Sequence, residues 1–149
     1  MTRFKFRLAT LLKLRETERD ERRGEYMEAL RAVDVVRSQQ ASLESELEAL
    51  RAARRVQTGV LNVDLMIQSS QHELLLRAQV DLLDKQSADI QAEAERRRAK
   101  LLEADRAVKV LEKLRDRQSQ RFTEELWRQE GQALDEVSQS QASQRSMET

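Results

Sequence analysis

An all-α fold, a long two-helix antiparallel coiled-coil hairpin with a helical C-terminal extension, is what this sequence predicts. Three observations carry that expectation. The 149 residues contain no proline and three glycines, 36% are charged and 3% aromatic. Globular domains carry about 25% charge and rely on aromatic fillers, whereas charge-rich chains of Leu, Ala, Glu, Gln and Arg with a helical repeat form coiled coils. The apolar residues recur by threes and fours over two long stretches. One break separates them, Thr58-Gly59-Val60-Leu61-Asn62-Val63-Asp64, with the only mid-chain glycine.

Taken in order, helix one runs from about Phe4 to Val56, and its seam is Val33, Val36, Gln40, Leu43, Leu47 and Leu50. A turn comes next, over about 57–63. Gly59 suits a helix C-cap because glycine tolerates positive φ, and Asn62 or Asp64 can cap the second helix. Helix two runs from about residue 64 to 139. Its seam is Leu76, Val80, Leu83, Ser87, Ile90, Ala94, Arg97, Leu101, Ala104, Val108 and Leu111, continuing through Arg115, Gln118 and Phe122. A 3.5-residue period keeps such a set on one slowly winding stripe that a partner helix covers. A connection this short makes the two helices antiparallel neighbours. Folding at Gly59 pairs residues whose numbers add to about 119, placing Phe4 near Arg115 and Leu43 near Leu76. Residues past about Gln118 then lack a partner in helix one. From about 140 to 149 Ser and Gln dominate and no apolar stripe remains, so a disordered tail is expected there. The whole is read as a single coiled-coil domain over 1–149.

The formal net charge is zero, yet its distribution is uneven. Residues 1–23 carry eight basic and four acidic side chains, and residues 96–121 carry ten and four. Residues 24–95 carry seven basic and thirteen acidic, and residues 122–149 carry two and six. The pairing rule sets the two basic stretches side by side, giving a basic open half and an acidic turn half. Solvated helix faces often look this way. A dipolar hairpin whose basic end enters an acidic partner is the functional alternative.

Chemistry-bearing patterns are sparse. No Cys is present, so disulfides and thiolate metal sites are excluded. His72 is the only histidine and has no second imidazole to complete a metal set. There is no glycine-rich phosphate loop, and a thin hairpin lacks the cleft that tunes carboxylates for acid–base work. We therefore expect no enzyme activity and no cofactor. Arg96-Arg97-Arg98 is a basic run, but a pI near 6.7 and absent aromatic interleaving argue against nucleic acid. The apolar runs are far shorter than the roughly 20 residues of a membrane span, and no signal peptide is legible, so a cytoplasmic protein is expected. Two places hold more apolar surface than one seam requires: Phe4, Phe6, Leu8, Leu11, Leu12 and Leu14, and Leu74, Leu75 and Leu82. Either the core broadens there or a partner docks.

With hairpin, turn and tail in place, the chain resembles the flagellar export protein family FliJ. Phe4-Lys-Phe-Arg-Leu-Ala-Thr-Leu-Leu-Lys-Leu-Arg-Glu16 looks like the family's opening segment. Leu111-Glu-Lys-Leu-Arg-Asp-Arg-Gln118, with Leu134-Asp-Glu-Val137 after it, resembles its closing pattern. Ser138 stands where the family usually has Ala, and Gln71-His-Glu-Leu-Leu-Leu76 lacks the aromatic residues frequent there. The resemblance implies a non-enzymatic component of the flagellar type III export apparatus, folded like the stalk of rotary ATPases. It would bind a hexameric export ATPase, the cytoplasmic domain of the export-gate membrane protein, and export chaperones, at the inner membrane of the flagellar base. On that basis Phe4, Phe6, Arg96, Arg98, Arg115, Arg117, Phe122 and Trp127 are expected to contact the ATPase, and Leu75 and Leu82 the gate. A general coiled-coil scaffold and an injectisome stalk are the alternatives.

Overall fold

The computed structural model describes residues 2–56, 59 and 62–148. Among the described residues there are two helices, α1 (Ala9–Val56) and α2 (Val63–Met147), and no strand. This is the all-α helical hairpin the sequence predicts. Its contacts fall into two compact units, Met1–Glu18 with Ala104–Thr149, and Arg19–Glu103.

In the Arg19–Glu103 unit, α1 and α2 pair antiparallel along a narrow seam. Ala29, Val33 and Ala94 form its buried centre, with Ile90 packed against them. Val36, Leu76 and Leu83 are also buried. Leu43, Leu47, Leu50, Val80 and Leu101 are half-buried, as expected of a seam covered on one side only. Polar residues interrupt it: Ser87 and Glu73 are buried there, and Gln40 donates to Asp84 at 2.9 Å.

These cross-helix pairs revise the expected register. Arg97 reaches Glu25, and Arg54 reaches Ser69 and Glu73. Each partner lies roughly one to two turns further along α2 than folding at Gly59 implies. Leu43 shares a groove with Gln79, Leu82 and Leu83. The cause lies at the turn. Because Arg54 reaches Ser69, the first turn of α2 extends past the end of α1, and Val63, Leu65, Met66 and Ile67 are exposed. Asn62 caps α2, accepting from the Asp64 amide through Oδ1 at 3.1 Å and from the Met66 amide through its carbonyl at 3.1 Å. Gly59 has φ near +140°, a backbone region that side-chain-bearing residues avoid. The rest of the expected turn, Gln57, Thr58, Val60 and Leu61, lies outside the described residues.

In the other unit α1 begins at Ala9, not at Phe4. Arg3, Lys5 and Arg7 would place positive charge at a helix N-terminus, where the dipole disfavours it. Instead Phe4 and Phe6 are half-buried while Arg3, Lys5 and Arg7 are exposed, an alternation by twos that fits an extended segment. Phe4 packs on Phe122, ring centroids 5.7 Å apart, not beside Arg115. Leu12 is buried and Val108 is fully covered, at 0% exposure. Beyond the half-buried Leu111 the expected stripe drifts: Arg115 and Gln118 are exposed, while Leu114 and Ser119 are partly covered. A helix of 3.6 residues per turn loses a strict 3.5 repeat by about 20° per heptad unless it supercoils, and here the stripe moves over.

The helix does not end near 139. It continues to Met147, and every described residue from Trp127 onward is exposed. The serines that suggest disorder bond backward within the helix. Ser138 donates to the Leu134 carbonyl, Ser140 to Val137, Ser143 to Ser140 and Ser146 to Ser143, at 2.8–2.9 Å. With no proline to break it, the segment over 140–147 stays helical.

Candidate functional site

The structure places the expected contact residues in both units. In the Arg19–Glu103 unit, Arg96 and Arg98 are exposed and tied along their own helix, Arg96 to Glu93 at 2.7 Å and Arg98 to Glu95 at 3.3 Å. Glu93 also holds Arg97, and hydrogen bonds from Arg96 and Arg97 keep its carboxyl below the usual range. Arg97 sits on the seam yet does not simply lean out to water. Its Nη1 donates to the Glu25 backbone carbonyl across the helix pair at 2.8 Å. Leu74, Leu75 and Leu82 are exposed on the same unit, and Leu82 borders an open groove with Leu43, Gln79, Leu83 and Gln86.

The other unit holds Phe4, Phe6, Arg115, Arg117, Phe122 and Trp127. Of these the fold joins Phe4 to Phe122 directly. Both rings are half-buried, so their role in shaping the unit comes before any contact they offer. Arg115 lies near its neighbour Asp116 at 3.7 Å, and Arg117 is exposed. Trp127 is 74% exposed, beside a shallow groove lined by Ser119, Gln120, Thr123 and Glu124. Further out, Arg128 binds Glu125 at 2.7 Å, and that bond holds the Glu125 carboxyl below its ordinary value. Leu134 and Val137 continue the exposed apolar surface.

One constellation escapes a reading of the sequence alone. Glu73 is buried on the seam, and three guanidiniums converge on it from both helices. Arg54 Nη1 donates to its Oε2, Arg77 Nη2 donates to its Oε1 at 2.7 Å, and Arg51 Nε stands 3.6 Å away. Burial acts to raise the Glu73 pKa. The Arg54 hydrogen bond and the charges of Arg54, Arg77 and Arg51 outweigh it and leave the carboxyl below 4.5. The spacing does carry a signal: Glu73 stands three residues before Leu76, which continues the seam by one heptad step. His72 is exposed, and no group of three potential metal ligands occurs among the described residues.

The helices carry exposed apolar side chains and mixed charge, suited to contact with other macromolecules. No helix among the described residues is long and apolar enough to cross a membrane. Comparison with known proteins agrees with the resemblance carried by the opening and closing segments. No curated protein and no solved structure matches the chain. The family model described as "Flagellar FliJ protein" matches residues 4–147, covering the opening segment, both helices and the tail. The chain belongs to the FliJ family.

Proposed function

We propose that this chain works within the flagellar type III export apparatus, of which its family is a component, as a non-enzymatic, rotor-stalk-like coiled coil. The Met1–Glu18 and Ala104–Thr149 unit engages the central pore of a hexameric export ATPase. The exposed Leu75 and Leu82 face of the other unit meets the cytoplasmic domain of the export gate. The protein assists delivery of export chaperones and their cargo, peripherally at the inner membrane.

The observation that carries this reading is the form of the first unit. A half-buried aromatic pair, Phe4 and Phe122, closes a helix pair rich in Arg and Lys, and a single helix with exposed Trp127 and Leu134 continues beyond it. A narrow basic body with an apolar extension suits a ring pore lined with acidic or apolar loops. The test is binding to the purified hexameric ATPase. Reversing charge at Arg115 and Arg117, or truncating after Gln120, should weaken association while helical content stays high. Raising salt should weaken it too, because exposed charges are screened beyond about 8–10 Å at 0.1–0.15 M. Leu75→Glu with Leu82→Glu should spare ATPase binding and impair capture by the gate domain. Wild-type ATPase binding by the charge-reversed and truncated chains refutes the proposed orientation.

A further inference from the structure

A second stripe runs along α2, separate from the seam and absent from the sequence-based register. Arg106, Lys109, Lys113, Asp116, Gln120, Thr123, Trp127, Glu130, Leu134 and Val137 succeed one another by threes and fours, and every one is exposed. This is the spacing of a coiled-coil face with no helix on it. All ten lie in the Met1–Glu18 and Ala104–Thr149 unit. The character of the stripe inverts at its middle. Before Gln120 it is predominantly basic, and after Thr123 it is apolar and acidic. Residues 104–122 hold six basic and three acidic side chains, and residues 123–149 hold two and six.

We infer that this face pairs antiparallel with the same face of a second copy of the chain, about a two-fold axis between Gln120 and Thr123. A two-fold interface must be self-complementary, each half of the patch matching the other half. The stripe meets that condition residue by residue. Opposing Gln120 to Thr123 sets Lys113 against the partner copy's acidic Glu130, a position four residues before its Leu134. The same register sets the stems of Lys109 and Arg106 over Leu134 and Val137 of the second copy. Long basic side chains cover apolar surface in this way while their charged heads reach outward, here toward Asp135 and Glu136. Trp127 meets Asp116, a carboxylate that can accept from the indole N–H. At the axis lies the shallow groove of Ser119, Gln120, Thr123, Glu124 and Trp127. A parallel pairing would oppose like charges at Arg106, Lys109, Lys113, Asp116 and Glu130 and is disfavoured.

The inference stands apart from the export reading. It concerns the isolated chain, and pairing would cover Trp127 and neighbour Arg117, both proposed above to meet the ATPase. Self-association and ATPase docking would then exclude each other.

The test is sedimentation velocity of the full chain without any partner, from about 1 to 200 μM, a range spanning dissociation constants typical of weak complexes. Wild type should shift from monomer to dimer with concentration. Emission from Trp127, the sole tryptophan, should move to shorter wavelength in parallel. Glu130→Lys with Asp135→Lys makes the second half of the face basic like the first, and Lys109→Glu with Lys113→Glu makes the first half predominantly acidic like the second. Each double variant alone should remain monomeric, with at least a tenfold weaker association, and should keep wild-type helical content by circular dichroism. Mixed in equal amounts, the two should form a heterodimer, because each reversed half now meets its reversed complement. A wild type that stays monomeric across the range overturns the inference. So do reversed variants that dimerise as wild type does, and so does a mixture that fails to associate.

Discussion

Leu74, Leu75 and Leu76 are three identical side chains in succession on one helix, exposed 65%, 57% and 3%. Their truncation to Ala therefore isolates burial from residue type and helix propensity. Burying a Leu removes its apolar surface from water, and Leu→Ala in well-packed sites costs about 2–5 kcal/mol. A two-helix seam has solvent on both flanks and can partly close over the gap, so Leu76→Ala should fall at about 2–3 kcal/mol. Ala is a slightly better helix former than Leu, so Leu74→Ala and Leu75→Ala should stay within about 0.5 kcal/mol of wild type. For a chain of this size 1 kcal/mol shifts Tm by about 2–4 °C. The Leu76 variant should thus melt roughly 5–10 °C lower in circular dichroism at 222 nm, and the other two should superimpose on the parent. Equal destabilisation by Leu75→Ala and Leu76→Ala would show that the seam register is wrong, or that Leu75 is covered in solution.

Leu101→Ala, at a half-buried seam position, should cost less than Leu76→Ala, about 1–2 kcal/mol in urea titration. Gly59 and Gly131 should respond oppositely to alanine. Gly59→Ala forces a side chain into φ near +140° and should lower stability by about 1 kcal/mol or more, whereas Gly131→Ala, in open helix with nothing near the added carbon, should raise tail helicity and gain up to about 1 kcal/mol locally, read by amide exchange. Glu73 predicts a pH dependence. Its folded pKa lies below the ordinary 4.5, so its contribution is complete above 4.5 and declines as pH falls through the lowered folded value. Stability measured from pH 7 down to pH 3 should fall in that lower range, and Glu73→Gln should remove that component while lowering stability at pH 7.

The regular parts of this fold are legible because coiled-coil seams are written in sequence as spacing. Val33, Val36, Leu76 and Leu83 sit on the stripe by count alone and are buried. What spacing leaves open is where one helix lies against the other. An apolar seam matches its partner almost equally well after a slip of one heptad, so the offset depends on the loop and on a few polar contacts. The loop midpoint at Gly59 is therefore a poor guide, and the α2 overhang at Leu65, Met66 and Ile67 is invisible in the spacing. The opening segment misleads for a different reason. Its leucines read as helix, but the preceding Phe4-Lys-Phe-Arg pattern alternates by twos, and a tertiary contact with Phe122 sets its conformation. Interaction surfaces are the least legible: spacing separates Leu75 from Leu76, but it does not separate a docking face from a solvated one.

The polar residues on the seam explain how a degenerate stripe settles on one offset. Gln40 meets Asp84, Arg97 meets the Glu25 carbonyl, and Glu73 meets Arg51 and Arg54. Move α2 by one heptad and most apolar contacts find new apolar partners, but all three of these polar contacts break together. The penalty is asymmetric. A seam Leu in the wrong register still meets carbon, whereas Glu73 would keep its burial but lose both α1 arginines, leaving Arg77 of its own helix as the one guanidinium of the three still beside it, and a buried carboxylate that loses partners is disfavoured. The three contacts are spaced along the Arg19–Glu103 unit rather than clustered, so no local adjustment can satisfy one while sacrificing the others. Register in this unit is thus held by its least apolar positions, in the way a single buried polar residue fixes alignment in coiled coils at some expense in stability. Replacing Glu73 with Leu should leave the melting temperature high and yet loosen the alignment. Disulfide trapping between Cys pairs placed for the observed and the heptad-slipped offsets would detect this. Trapping only at the observed offset in Glu73→Leu would show that the apolar residues alone suffice to set it.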